Sequence, residues 1–208
     1  MLDYGIFYEF IPMSEWGSDH PKTITLENVE VGQNYAMVIT TNAGLWRYMI
    51  GDTVKFTSTS PYRIKISGRT KHFINAFGEE LIIENAEQAI ADACHKTQAS
   101  VKNFTAGPKF LSEGNQGCHE WVIEFVKGPD NVDRFMQLID EKLRELNSDY
   151  NAKRHKDLAL RSPIMHVTDE GVFYEWMKKR GKLGGQNKVP RLANNREYLD
   201  DILEFMNP

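Results

Sequence analysis

The chain lacks the cysteines of a disulfide framework. Cys94 and Cys118 are its only two, and neither sits in a metal-ligand spacing, so a reducing cytoplasm fits best. Cys94 falls on the apolar stripe of an expected helix, as a buried free thiol would. No stretch approaches the roughly 18 apolar residues of a membrane span, and Met1 is not followed by a signal-peptide pattern. There is no surplus of positive charge either. The 25 Lys and Arg are interspersed among 29 Asp and Glu, for a net charge of −4, which excludes the basic stripe of a nucleic-acid binder. Internal repeats and low-complexity segments are absent. What remains is ordinary globular composition, 41% hydrophobic and 26% charged, in a chain long enough to bury about 70% of its extended surface without staples.

Two textures succeed one another. Residues 1–66 read as strand and turn, with expected strands at Ile6–Ile11, Tyr35–Thr41, Leu45–Ile50 and Thr53–Thr57. Asn42-Ala43-Gly44 and Gly51-Asp52 punctuate them as turns. The opening run Tyr4–Pro12 (YGIFYEFIP) reads as a buried strand. A domain seldom begins with its most buried strand, so this β-rich piece is expected to belong to a larger body.

From residue 72 the pattern becomes α+β. Phe73–Phe77 reads as a strand broken by Gly78. Ala86, Ala89, Ile90, Ala93 and Cys94 recur at helical spacing. A strand is expected near Val101–Thr105. Trp121, Ile123 and Phe125 alternate with Glu120, Val122 and Glu124, the pattern of a half-buried strand. Pro129-Asp130 opens a second amphipathic helix with Asp130 as N-cap, carrying Phe135, Met136, Ile139 and Leu143 on one face. A strand at 163–168, a short helix at 170–180, a Gly/Lys-rich loop at 181–191 and a helix at about Arg196–Met206 complete the chain. The order strand–helix–strand–strand–helix–strand is that of a ferredoxin-like α/β sandwich.

Four segments could carry chemistry, and each has a plainer explanation beside it. In Arg47-Tyr48-Met49-Ile50-Gly51-Asp52 a turn carboxylate can accept hydrogen bonds from vicinal hydroxyls, as acidic residues do for ribose, although Gly-Asp also suits an ordinary hairpin. Ser67-Gly68-Arg69-Thr70-Lys71 lies where the texture changes and reads as a hinge with cations, or as a solvated linker. Gly78 with Glu79, Glu80 and Glu84 suggests acids complementing a helix dipole rather than a metal cluster. Lys188, after Gly184-Gly185, can swing an ammonium onto a phosphate, or it belongs to a solvated loop. His72, His95, His119 and His166 have no ligand spacing and read as structural or exposed.

The order of these segments resembles the adenylate-forming enzyme superfamily. Within it, Tyr8-Glu9-Phe10-Ile11-Pro12, the block Thr40-Thr41-Asn42-Ala43-Gly44-Leu45-Trp46-Arg47-Tyr48-Met49-Ile50-Gly51-Asp52, and Lys188-Val189-Pro190-Arg191 are most similar to the auxin-responsive acyl acid–amido synthetases, the Gretchen Hagen proteins. The resemblance implies that Asp52 holds the ribose hydroxyls of ATP, that Tyr48 and Arg47 shape the nucleotide pocket, and that Arg69 lies near the nucleotide. It implies Lys71 as the pivot of a hinge at residues 67–71, between the last strands of a large adenylation domain (1–66) and a small mobile domain (72–208). Lys188 would be the catalytic lysine that reaches across during adenylation. The reaction would convert a carboxylic acid and ATP to acyl-adenylate and pyrophosphate, and then an amino acid's amine would form the amide and release AMP.

The family's Ser/Thr phosphate loop, and the Ser-Glu-Gly-type segment supplying a Mg2+ ligand, have no counterpart here and are expected upstream of residue 1. No metal ligand is therefore assigned within this sequence. The chain reads as a C-terminal fragment, close to inert by itself, whose partners are the missing N-terminal domain and small-molecule acid and amino acid substrates, with no nucleic acid and no membrane. An acyl-CoA ligase of the same superfamily is the nearest alternative, but its late lysine typically stands in a Pro-Lys…Gly-Lys setting, whereas Lys188 precedes Val-Pro-Arg. A non-catalytic ferredoxin-like regulatory module is a second alternative and leaves residues 40–52 unexplained.

Overall fold

The computed structural model describes residues 4–70, 73–111, 116–155, 159–184 and 188–207. The chain divides into two compact units, Met1–Lys71 and His72–Pro208.

Unit 1 is a four-stranded antiparallel meander of β1 (Ile6–Pro12), β2 (Asn34–Thr41), β3 (Tyr48–Thr59) and β4 (Tyr62–Arg69) in that order. Alternate residues face opposite sides of a strand; one side carries the larger cluster, and Ile11, Ala36 and Val38 are buried on the other. Tyr8, Phe10, Tyr35, Met37, Val54 and Phe56 form the core, with Phe10 and Phe56 edge-to-face at 5.1 Å between ring centroids. β1 is an edge strand, so only part of the YGIFYEFIP run is buried; Phe7 and Tyr4 stay exposed. The two strands expected at 45–50 and 53–57 are one. Gly51-Asp52 is not a turn but a bulge within β3, where the register passes from Val38 opposite Met49 to Ala36 opposite Thr53.

Unit 2 is α+β. A short hairpin, β5 (Phe73–Ile74) with β6 (Leu81–Ile82), leads into α1 (Ile83–Thr97). Next comes a three-stranded sheet with order β7 (Ser100–Phe110), β8 (Gly117–Lys127), β9 (Ile164–Thr168). β7 and β8 are antiparallel, and β8 and β9 parallel. The sequence pattern implies four strands in this sheet, but Phe73–Ile74 pairs with Leu81–Ile82 instead. Between β8 and β9 lie α2 (Val132–Leu146) and α3 (Ser148–Arg154). Asn131, rather than Asp130, caps α2 by accepting from the Arg134 N–H at 2.8 Å. The chain closes with α4 (Val172–Lys179) and α5 (Glu197–Met206).

α1 and α2 place Ala86, Ala89, Ala93, Phe135, Ile139 and Leu143 in one core with Phe104, Trp121 and Ile123. The other face of β8 is covered as well, because Val122 packs with Phe173, Trp176, Leu199 and Ile202 of α4 and α5. β8 is therefore buried on both faces, not half-buried as its alternation suggests. That puts Glu120 and Glu124 inside, where a carboxylate needs partners. Lys109 Nζ donates to Glu120 at 2.7 Å, His166 Nε2 lies at 2.9 Å and Arg196 at 2.9 Å. Glu124 accepts from Asn103 at 2.8 Å and from the Gly171 N–H at 2.6 Å.

Two further buried polar groups fasten unit 2. Arg154 grips Asp140 through Nε and Nη2, at 2.9 and 2.8 Å, while Tyr150 donates to the same carboxylate at 2.6 Å. Glu79, expected to complement a helix dipole, precedes α1 and is fully buried. It meets His119 at 2.8 Å and accepts from the Phe77 N–H at 2.7 Å.

Burial alone would raise the Glu120 pKa, but the hydrogen bonds from Lys109, His166 and Arg196 outweigh it and bring it down to about 2 from 4.5. A carboxylate depressed in the folded state stabilises the fold above its unfolded pKa, and that stabilisation is lost as pH falls from 4.5 towards 2. Between pH 5 and pH 3, wild type should therefore lose about 2 kcal/mol more unfolding free energy than Glu120→Gln. Urea denaturation at the two pH values checks this, and equal losses would contradict it.

Candidate nucleotide and lysine sites

The candidate residues divide between the units. In unit 1, Asp52 and Arg69 lie directly opposite each other on β3 and β4, and Arg69 Nε is 3.3 Å from Asp52 Oδ1. The pair is half open to solvent. Its geometry depends on the bulge: Gly51 has φ +88°, and its carbonyl accepts from the Thr70 N–H at 2.9 Å. Beneath it, Ser67 is buried and donates to Thr53 at 3.1 Å and also to Asn34. Residues 67–69, expected as part of a hinge, are thus the last residues of β4. Lys71, the expected pivot, lies outside the described residues.

Arg47 turns away from this pair. It adopts φ +45°, an uncommon conformation for a residue with a side chain. Its N–H donates to Thr40 at 3.0 Å, and its guanidinium is held by Glu9 at 3.1 Å and Thr23 at 3.3 Å. Thr23 in turn donates to Glu9 at 2.7 Å. Arg47 therefore clamps the β2–β3 turn to β1. Glu9, visible in the sequence only as one letter of a motif, is the anchor of that clamp. Beside it, Leu45, Trp46, Tyr48, Met49 and Ile50 form a run of exposed apolar residues, with Trp46 80% and Tyr48 52% accessible. Such a contiguous apolar run is what an interface or ligand surface leaves when uncovered.

In unit 2, Lys188 is exposed and makes no hydrogen bond or ion pair among the described residues. The segment just beyond it is fixed. Residues 190–193 lie along the free edge of β7, with Leu192 bridged in parallel to Ala106. Lys188 also lines an open groove with Lys182, Lys102, Val189, Phe173 and Phe205. Among the described residues, no three His, Cys, Asp or Glu side chains are grouped to hold a metal ion.

The GH3 family central domain matches residues 1–69, and the GH3 family C-terminal domain matches residues 84–197. The chain belongs to the GH3 family. The indole-3-acetic acid-amido synthetase GH3.8 of Oryza sativa subsp. indica is 44% identical over 200 residues, covering 89% of this chain and 33% of that protein. GH3.3 of Arabidopsis thaliana, also an indole-3-acetic acid-amido synthetase, is 27% identical over 198 residues, covering 90% of this chain and 33% of the relative. The chain thus spans about a third of the length of the curated GH3 relatives it matches. Among solved structures, the GH3.15 acyl acid amido synthetase superposes with a TM-score of 0.67 at 22% identity, covering 96% of this chain and 36% of that one. A 2-hydroxyisobutyryl-CoA ligase in its postadenylation state reaches 0.50 at 12% identity, covering 97% of this chain and 38% of that one. Likeness of fold thus extends to an acyl-CoA ligase, so it is the family domains that separate the GH3 reading from the acyl-CoA alternative.

The geometry around Asp52 yields a backbone test. A Cβ at Gly51 would meet only Thr70 Oγ1, at 3.9 Å, so crowding is not the obstacle. The left-handed backbone is. Gly51→Ala should cost about 1–2 kcal/mol, and Gly51→Asn less, because asparagine visits that conformation more readily. Urea denaturation compares them, and equal or negligible costs would show that the bulge does not need its glycine.

Proposed function

We propose that this chain is the nucleotide-facing and lysine-bearing portion of an ATP-dependent acyl acid–amido synthetase acting in the cytoplasm. The observation that carries the reading is the Asp52–Arg69 pair set beside the uncovered apolar run Leu45–Ile50. A solvent-reachable carboxylate braced by a cation suits the two vicinal hydroxyls of a ribose. The apolar run suits the base, the acyl group or the remaining two-thirds of the family's length. Membership of the GH3 family supports the reaction class, and the relatives' names support a carboxylic acid and an amino acid as its small-molecule substrates.

In this reading Asp52 accepts from the ribose hydroxyls. Arg69 holds that carboxylate in place. Tyr48 and the Arg47 clamp shape the pocket's edge. The acid's carboxylate oxygen attacks the α-phosphate of ATP, the bond to pyrophosphate breaks, and an acyl-adenylate results. The amine nitrogen of the amino acid then attacks the acyl carbon, AMP leaves, and the amine's proton passes to solvent. Lys71 is the pivot that lets unit 2 present Lys188 for the first step. Mg2+ would neutralise phosphate charge when bound, with ligands from the rest of the longer protein.

Lys188 carries the first half-reaction. Negative charge builds around the α-phosphate as pyrophosphate leaves and an anionic carboxylate arrives. A cation there stabilises the transition state more than the ground state. In the full-length enzyme, Lys188→Ala should lower acyl-adenylate formation, read as pyrophosphate exchange, by about 10²–10³. Melting temperature should hardly change, because the side chain is exposed. Single-turnover amide synthesis from synthetic acyl-adenylate should suffer far less. Equal losses in both steps would mean that Lys188 positions the nucleotide throughout.

A further inference from the structure

Two irregularities of the unit 1 sheet set Asp52 against Arg69. The first is the bulge at Gly51, where β3 leaves the register of β2. The second lies in β4. Ile66 stands opposite Val54 and Gly68 opposite Thr53, so Ser67 is an extra residue between two consecutive partners. A one-residue slip changes what every side chain faces. In an unbroken ladder continued from Val54 and Ile66, Gly68 would stand opposite Asp52, and Arg69 opposite Gly51. With Ser67 bulged, Arg69 and Asp52 become partners, and Arg69 Nε comes to 3.3 Å from Asp52 Oδ1.

The extra residue is held from inside. Ser67 is 3% exposed, whereas Ile66 beside it is 71% exposed. The Ser67 hydroxyl is hydrogen-bonded to Thr53 Oγ1 at 3.1 Å and to Asn34 Oδ1. Asn34 opens β2 and Thr53 lies in β3, so one hydroxyl on β4 joins three strands. Asn34 and Thr53 are buried too. Parting buried polar groups from their partners is costly, so these three side chains favour the bulged arrangement over one that separates them. Thr53 is also the immediate neighbour of Asp52. We infer that Ser67 is a positioning residue for the nucleotide: its buried hydroxyl, by fixing the bulge in β4, keeps Arg69 opposite Asp52. The inference rests on the reading of Asp52 as the ribose carboxylate.

Ser67→Ala removes the hydroxyl and adds no bulk. The Thr70 amide donates to the Gly51 carbonyl at 2.9 Å, just past the bulge. In the 208-residue chain it should exchange with solvent deuterium severalfold faster in Ser67→Ala than in wild type. The Ile24 amide, which donates to Phe10 O at 2.8 Å on the edge strand β1, should keep its rate. Equal acceleration of both amides, or of neither, would overturn the inference. In the full-length enzyme, a ribose contact made equally before and during the reaction bears on KM rather than kcat. Ser67→Ala should therefore raise the KM for ATP about fivefold, the size of one ordinary hydrogen bond, with kcat and the KM for the acid nearly unchanged. It should also narrow the preference for ATP over 2′-deoxy-ATP, because a displaced carboxylate distinguishes the two less. Thr53→Val, which keeps shape and loses one of the two bonds, should shift KM and preference the same way, and Thr53→Ser should not. An unchanged preference in Ser67→Ala would mean that Ser67 serves only the fold and would overturn the inference alone. If Asp52→Ala left that preference intact, the reading of Asp52 would fall, and this inference with it.

Discussion

The covering of β8 on both faces governs unit 2. A strand with helices on each side excludes water from every residue between Gly117 and Glu124, and this strand carries His119, Glu120 and Glu124 among its apolar neighbours. Burying a charge without a partner is far more costly than any single apolar contact is favourable. Each acid therefore dictates something at a distance. Glu120 collects Lys109 from β7, His166 from β9 and Arg196 from the start of α5. Glu124 receives the Gly171 amide at the start of α4. His119 fixes Glu79, and with it the segment that leads into β6. The polar interior ties together elements that the apolar contacts alone would leave free to slide.

The edge of the same sheet holds the segment that follows Lys188. β7 has β8 on one side and offers its other edge to residues 190–193. An edge strand with unpaired backbone groups readily accepts such an addition, and here the added segment begins two residues after Lys188. On the proposed reading, the sheet supplies a fixed origin for a side chain that acts elsewhere. In unit 1 the analogous device is the bulge at Gly51. It interrupts the pleat of β3, engages Thr70 at the end of β4, and brings Asp52 opposite Arg69. Bulges of this kind re-aim side chains next to sites of chemistry.

Period and punctuation made much of this legible in the sequence. The stripes of α1 and α2 come from apolar spacing, and the terminal helix and the strand at 164–168 lie where their patterns place them. The resemblance carried by residues 40–52 and 188–191 pointed to the family whose domains match the chain. What stayed hidden depends on partners remote in sequence. Glu120 and Glu124 read as a solvent face because alternation cannot reveal a second layer of helices. Glu79 reads as a dipole-complementing acid because its partner, His119, is 40 residues away. Gly51-Asp52 reads as a turn because a bulge and a hairpin ask for the same residue types. Thr105 gives no signal at all, since the carbonyl it holds belongs to a residue 85 positions later.

On the proposed reading, this chain carries ribose-side contacts and a swinging lysine but relies on the rest of a longer ligase for the phosphates. Contacts of the first kind alone do not offset the entropy lost on binding a nucleotide. Calorimetric titration of the 208-residue chain with ATP and Mg2+ tests that claim most directly. The expected Kd is no tighter than about millimolar, roughly −4 kcal/mol. Micromolar binding, or pyrophosphate exchange by this chain without any other polypeptide, would contradict it.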